Sequence, residues 1–354
     1  MIIGLVVVLG FILFLPFLFR FVEHNLEYFL FFMGIAAAII SGTMSSELIL
    51  HILENHLLYI ITAAVLIAGL LFRLSVDKIR IGVETVTKRI PLKVFIFIII
   101  VFLGLISSVI TAIVASLILV EIIHALPLNK KNKTAFAIIA CFSIGLGAAL
   151  TPIGEPLSTI VVSVMKVDFF YLLREIGIFI IPGIIIVGIF GAFYIDYMDK
   201  KCRLGETAEV AASGESNCIE QVEEKEELKV IFIRAFKIFI FVIALELLGA
   251  GFKPLINNYI IHLDGRILYW INMTSSVLDN ATIAAAELSP AMNLQQIKAI
   301  LMGLLISGGM MIPGNIPNII SAGKLKIKSR DWAAMGVPMG VLMLLAYYGI
   351  IFMF

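Results

Sequence analysis

Glu155 stands in the stretch TPIGEP, residues 151 to 156, between the apolar runs 137 to 150 and 157 to 165. Farther along, Asp279 and Asn280 sit side by side in LDNAT, again inside an apolar region. A carboxylate in surroundings otherwise fit for lipid must keep its proton or carry a cation, so intramembrane acids are read first as functional groups. Competition between a proton and a sodium ion for one carboxylate is the minimal chemistry of antiport. Thr151 and Ser158 flank Glu155, Thr111 lies in an earlier apolar segment, and Asn315 and Asn318 in a later one. All offer neutral oxygen atoms, the ligands of a hard cation such as sodium; zinc would call for Cys or His. His51 and His56 of HILENH are five apart, not four, and lack the metalloprotease pattern. The reading is therefore a sodium ion at Glu155 and Asp279, as cargo or coupling ion, with no resident cofactor.

The residues around these acids say how they could reach an ion. Pro152, Gly154 and Pro156 interrupt the first apolar run, and Pro313, Gly314 and Pro317 interrupt the later one. Proline lacks the N–H that a helix needs and clashes with the preceding turn, so each run must break. A helix broken at membrane depth frees carbonyls at one half-helix end and N–H groups at the other. Such open backbone is tolerated only when buried in protein or facing a cavity.

The elements that hold the breaks follow from hydropathy. With 61% hydrophobic and 14% charged residues and a mean hydropathy of +1.09, the chain is too apolar for a water-soluble domain and reads as an all-α polytopic membrane protein. The net charge of +1 carries no nucleic-acid signature, and Cys141, Cys202 and Cys218 lack metal spacing. The first twenty residues have no basic lead and no small-residue cleavage pattern, so a retained span is expected rather than a signal peptide. A crossing needs ~20 apolar residues. About eight candidates result, at 2 to 20, 26 to 43, 57 to 73, 134 to 166 with its break, 176 to 195, 230 to 249, 297 to 321 with its break, and 332 to 353.

Two further runs are expected to be re-entrant hairpins. Residues 94 to 124 would form ~46 Å of helix, against a hydrocarbon core of ~30 Å. Basic residues flank both ends, Arg73 to Lys93 before and Lys130 to Lys133 after, which places both ends on the cytoplasmic side and a turn near Ser107 to Thr111. Residues 267 to 288 are interrupted by TSSVLDNAT, too polar for a lipid-facing helix centre. With both hairpins in place, every basic cluster falls on one side of a cell membrane, and the charged stretch 196 to 229 becomes a cytoplasmic linker.

The halves also repeat. SSVITAIVA at 107 to 115 matches SSVLDNATIAA at 275 to 285, and an offset of 161 aligns Gly147 with Gly308, Pro152 with Pro313 and Pro156 with Pro317. The expected order is 1 to 56 as N-terminal spans, 57 to 195 as the first repeat, 196 to 229 as linker and 230 to 354 as the second repeat. One hairpin opens inward and the other outward, so the repeats are inverted. Broken helices at corresponding places in inverted halves point to a transporter's substrate site.

This order of hairpin and broken helix resembles the ion transporter superfamily. TPIGEP is similar to the TPIGD element of NhaD-type sodium/proton antiporters; LDNAT is similar to their Asp-Asn element and to the Ser-Asn-Thr hairpin tips of sodium-coupled dicarboxylate carriers. The likeness covers roughly residues 57 to 354 and is nearest to an uncharacterised prokaryotic group of predicted cation transporters. It departs at the first hairpin, where SSVITAIV keeps Thr111 but lacks the Asp-Asn pair. The resemblance implies hairpins and broken helices moving together, elevator-like, against an N-terminal scaffold in a homodimer. Sodium/proton exchange is the expected activity; sodium-coupled transport of a small anion such as a carboxylate or oxyanion is the alternative. An enzyme is not expected: the chain has neither YD nor GxGD for an intramembrane aspartyl protease and no Ser-His set. Glu246 reads as snorkelling or interhelical, and Glu121 and Glu287 as interfacial.

Overall fold

Long apolar stretches rich in Ile, Val and Leu are helical despite their β-branched residues, because apolar surroundings leave backbone polar groups only one another to bond, and polar residues cap the ends. Asn129 opens one helix by accepting from Asn132 N at 2.8 Å, and Asn293 opens another through a reciprocal capping box with Gln296. The structure is a computed structural model. It describes residues 1 to 19, 21, 22, 25 to 56, 58, 59, 62, 63, 66, 67, 70, 73, 74, 90 to 165, 167 to 209, 228 to 255, 258, 259, 262 to 276 and 280 to 353. Asp279, most of the expected span at 57 to 73 and the linker from 210 to 227 lie outside the described residues.

Among the described residues there is no strand. The helices, in order, are α1 (Ile2–Leu18), α2 (Leu26–Ser41), α3 (Ser46–Glu54), α4 (Leu92–Ile110), α5 (Ala112–Ala125), α6 (Lys130–Ala148), α7 (Pro156–Met165) and α8 (Tyr171–Glu175). They continue as α9 (Gly177–Glu209), α10 (Leu228–Leu255), α11 (Gly265–Ile271), α12 (Asn280–Glu287), α13 (Leu294–Gly308), α14 (Ile316–Lys324) and α15 (Ser329–Met353). Three stretches are long and apolar enough to cross a membrane: Leu92–Ile110, Gly177–Lys200 and Ser329–Met353. Each spans at least ~28 Å at the helical rise. The first is an arm of the expected hairpin at 94 to 124, so that arm alone has the length of a crossing. α1 and α2, at 17 and 16 residues, are shorter.

The hairpin itself is present. Ser143 donates to Ile100 O and Ser107 to Ile144 O, while Thr151 donates to Ser108 O, so α4 and α6 run in the same direction. Between them α5 starts beside Gly154 and ends just before α6 begins, so it runs back along both. Small residues let the backbones touch: a Cβ at Gly147 would collide with the Gly104 carbonyl. In the second half Asn272 reaches across to Glu287 at 2.8 Å, which ties the turn Asn272–Ser276 to the end of α12; residues 277 to 279 lie outside the described residues.

α10 packs along α2, with Gly34 against Ala244 and Leu247 and Gly251 against Ala37. α1 and α3 join this group, which is tied by Lys237 to Glu27 at 3.3 Å and Asn55 to Glu246 at 2.9 Å. Glu246 is thus interhelical. α4, α6 and α9 pack mutually as a second group.

Candidate functional site

The first break is held open by the first hairpin. α6 stops at Ala148, and α7 begins at Pro156, where a missing N–H costs nothing. Thr151 donates its hydroxyl to Ser108 O and accepts from Ile153 N at 3.3 Å, and Ala112 N donates to Gly154 O at 2.8 Å. Thr159 closes the turn by donating to Pro152 O at 2.7 Å. Gly154 has no room for a side chain, because a Cβ would strike the backbone of Ala148. The structure thus engages Thr151 in the tether between hairpin tip and break.

Thr111, the tip residue, has φ 75° and ψ 149°. That region is almost reserved for glycine and costs about 1–3 kcal/mol for another residue, a kind of strain found where function needs a fixed geometry. Its side chain also caps α5, accepting from Val114 N at 3.4 Å. Thr111→Gly is therefore expected to stabilise the fold by about 1–2 kcal/mol, since glycine relieves the strain and loses only a few tenths as a cap. Thermal unfolding in detergent measures this; a destabilised variant would show that Thr111 is not strained.

The second break is held by side chains that follow it. Asn318 donates to Gly308 O and to Met311 O, both at 2.8 Å, and Trp332 Nε1 donates to Gly309 O at 3.2 Å. Gly308 O and Gly309 O are carbonyls that the end of α13 leaves without a helical partner, and Met311 O also accepts from Gly314 N at 3.4 Å. Pro313 and Gly314 form a 3-10 turn, and a Cβ at Gly314 would crowd Ser275 O and Gly308 O. Asn318→Leu strands the buried Gly308 carbonyl at about 1–3 kcal/mol and removes one of the two donors to Met311 O. A large drop in thermal stability is expected, and an unchanged melting profile would remove Asn318 from this role.

The two breaks meet. Asn315 lies against Gly145, and Cys141 Sγ contacts Pro317 O at 3.5 Å and Ser321 Oγ at 3.2 Å, so α14 runs antiparallel to α6. α14 packs on α5, and α7 packs on α12: the second half of each broken helix lies on the return arm of the other hairpin. Thr111, Gly154, Glu155, Pro156, Ile238 and Ile316 line a cavity of about 20 Å³. That volume holds one water-sized particle. The N-termini of α5, α7 and α14 all border it, and no Lys or Arg lines the wall.

Glu155 is buried at 6% exposure. Around the breaks, Ser158 Oγ, Asn280 Nδ2, both side-chain polar atoms of Asn315, and Asn318 Oδ1 are buried with no hydrogen-bond partner. Unsatisfied buried polar atoms are rare, and a group of them calls for a ligand, water or ion. The structure thus brings Thr111 and Glu155 to one cavity and places Asn315 next to its Ile316 wall. Asn280 lies near Gly308, the carbonyl of which is bonded by Asn318. Trp332 and Ser108 were not legible as site residues, because a tryptophan and a serine in apolar sequence carry no spacing signal.

Buried breaks and membrane-length apolar helices define the class: an all-helical membrane protein with discontinuous helices packed at its centre. The chain belongs to the family described as Protein of unknown function (DUF1646), which it matches over residues 2–354. No curated protein matches the chain.

Proposed function

We propose that the protein is a secondary transporter of a small cation, with sodium/proton antiport as its activity and the cavity at Glu155 as the ion site. The observation that carries this reading is the small cavity at the breaks, where a buried carboxylate and the Thr111 tip meet with no Lys or Arg in the wall. Oxygen atoms without partners on Ser158, Asn315 and Asn318 are the neutral groups that a hard cation would take. An unhydrated sodium ion and a proton would compete for Glu155, and Asp279 would add a second carboxylate from the other hairpin tip.

Inverted repeats support alternating access at this place. The reading of the halves as inverted repeats is supported by a shared contact: Ser107 and Ser275 donate to Ile144 O and Leu304 O respectively. Ile238 brings α10 to the cavity wall, so the site faces the α1, α2, α3 and α10 group. In this reading that group is the scaffold of a homodimer in the cell membrane, and the hairpins and breaks slide past it. The test is sodium-driven proton movement in proteoliposomes with an internal pH dye. No proton movement with sodium, lithium or potassium from mildly acidic to mildly alkaline pH would end the antiport reading.

A second reading has its own observation. Asn280 Nδ2 and Asn315 Nδ2 are donors without acceptors, and helix N-termini hold anions without help from Lys or Arg. Sodium-coupled transport of a small carboxylate or oxyanion fits those donors. Counterflow that depends on such an anion in the same vesicles would replace exchange by coupled anion transport.

A further inference from the structure

Glu287 ends α12 at 7% exposure, and its Oε2 accepts from Asn272 Nδ2 at 2.8 Å. Asn272 is fully buried; its amide nitrogen spends its other hydrogen on Leu268 O at 2.8 Å, and its backbone carbonyl accepts from Ser307 Oγ at 2.7 Å. The amide oxygen Oδ1 has no partner. Among the described residues no cation pairs with Glu287. The elements packed on α12 are α7, α10, α13 and the turn Asn272–Ser276. α7 and the turn carry no charged residue. On α13, Lys298 pairs with Glu175 at 3.0 Å. α10 carries Lys229 and Lys253, both exposed, Arg234, Lys237 paired with Glu27, and Glu246 bonded to Asn55.

A buried acid facing an amide, with one hydrogen bond made and one amide oxygen left over, lacks a single atom. A carboxyl proton supplies it: Nδ2 donates to the acid, and the acid's O–H donates back to Oδ1. Without that proton the amide oxygen Oδ1 of Asn272 stays buried with no donor, which is unfavourable. We propose that Glu287 is a proton-binding site, and that its protonated carboxyl closes an amide–acid clasp with Asn272. The clasp ties the far end of α12 to the preceding turn, and α12 begins at Asn280 near Gly308, so releasing the proton loosens the helix that starts beside the second break. As the carrier of the coupling proton, Glu287 rests on the transporter reading above; as a protonation site it does not.

Infrared difference spectra of the full chain in lipid, recorded between acidic and alkaline pH, separate the two. In a Glu155→Gln background, which removes any signal of Glu155 itself, the chain is expected to show a protonated-carboxyl band lost on alkalinisation, and adding Glu287→Gln to abolish it. Glutamine can make both hydrogen bonds of the clasp, so this variant is expected to melt with wild type. Asn272→Leu keeps the acid but removes its partner and is expected to shift the band toward the frequency of an unbonded acid. A band in the Glu155→Gln background that survives the added Glu287→Gln, or that does not move on adding Asn272→Leu, overturns the proposal. The Glu287 band in a protein whose wild-type vesicles exchange no sodium for protons would overturn antiport and leave the clasp standing.

Discussion

Glu155→Gln is expected to lower apparent sodium affinity by about 100-fold and to abolish sodium-driven proton movement at sodium concentrations that saturate wild type. The charge is what matters. Glutamine keeps the shape and one oxygen of the side chain but can neither bind a proton nor balance a cation, and removing one partner of a buried ion pair costs about 3 kcal/mol or more. The three helix N-termini at the cavity sharpen the expectation, because with a neutral side chain they present only positive ends to an arriving cation. Calorimetric titration of the purified protein with sodium gives the affinity, and initial rates of the internal pH dye give the exchange. Exchange with unchanged half-saturation in Glu155→Gln would remove this residue from the ion site, and the unpartnered groups at Asn315 and Asn318 would then be the next candidates.

Gly147→Ala is expected to be the most damaging small change in the core. A Cβ there lands on the backbone carbonyl of Gly104, and backbone cannot rotate away as a flexible side chain can. Overpacking of this kind costs about 3 kcal/mol or more. It should also act on the site, because the same α4 to α6 contact carries the Ser107 and Thr151 hydrogen bonds that fix the first hairpin against the break. Gly349 is the control: nothing lies within 4 Å of its Cβ position, and alanine in a helix there is expected to be neutral or up to about 1 kcal/mol stabilising. Thermal unfolding of both variants in detergent checks this. Equal melting of Gly147→Ala and wild type would mean that the two helices are not in contact.

The two experiments probe different links. Glu155→Gln tests what the cavity binds; Gly147→Ala tests whether the hairpin must press on the break for the cavity to exist. A Gly147→Ala protein that folds but exchanges poorly would show that the pressure of hairpin on break is itself needed for transport.

What the sequence by itself determined was one-dimensional. Hydropathy and length announce helices made for a bilayer, and Pro152, Pro156, Pro313 and Pro317 forbid continuous helix wherever they stand. Those are local properties of backbone and solvent, so the breaks at 149 to 155 and 309 to 315 and the turn at Thr111 fall where residue types put them. Membrane-length helices could not be counted in the same way. α1 and α2 are short, and the first arm of a hairpin proves to have the length of a crossing, because hydropathy measures apolarity and not where a helix stops.

Only the tertiary structure decided which polar groups are bonded and which are left over. Thr151 and Asn318 read alike as oxygen donors, yet the hydroxyl of one is engaged by Ser108 and Ile153, while the other ties two carbonyls and keeps Oδ1 unsatisfied. Glu287 read as an interfacial acid and is buried against Asn272, fifteen residues away along the chain. Cys141 meets Ser321 across 180 residues. Burial and partnership are set by what lies across the helix interface, and two helices joined by a hundred residues of intervening chain leave no mark of that meeting on either segment.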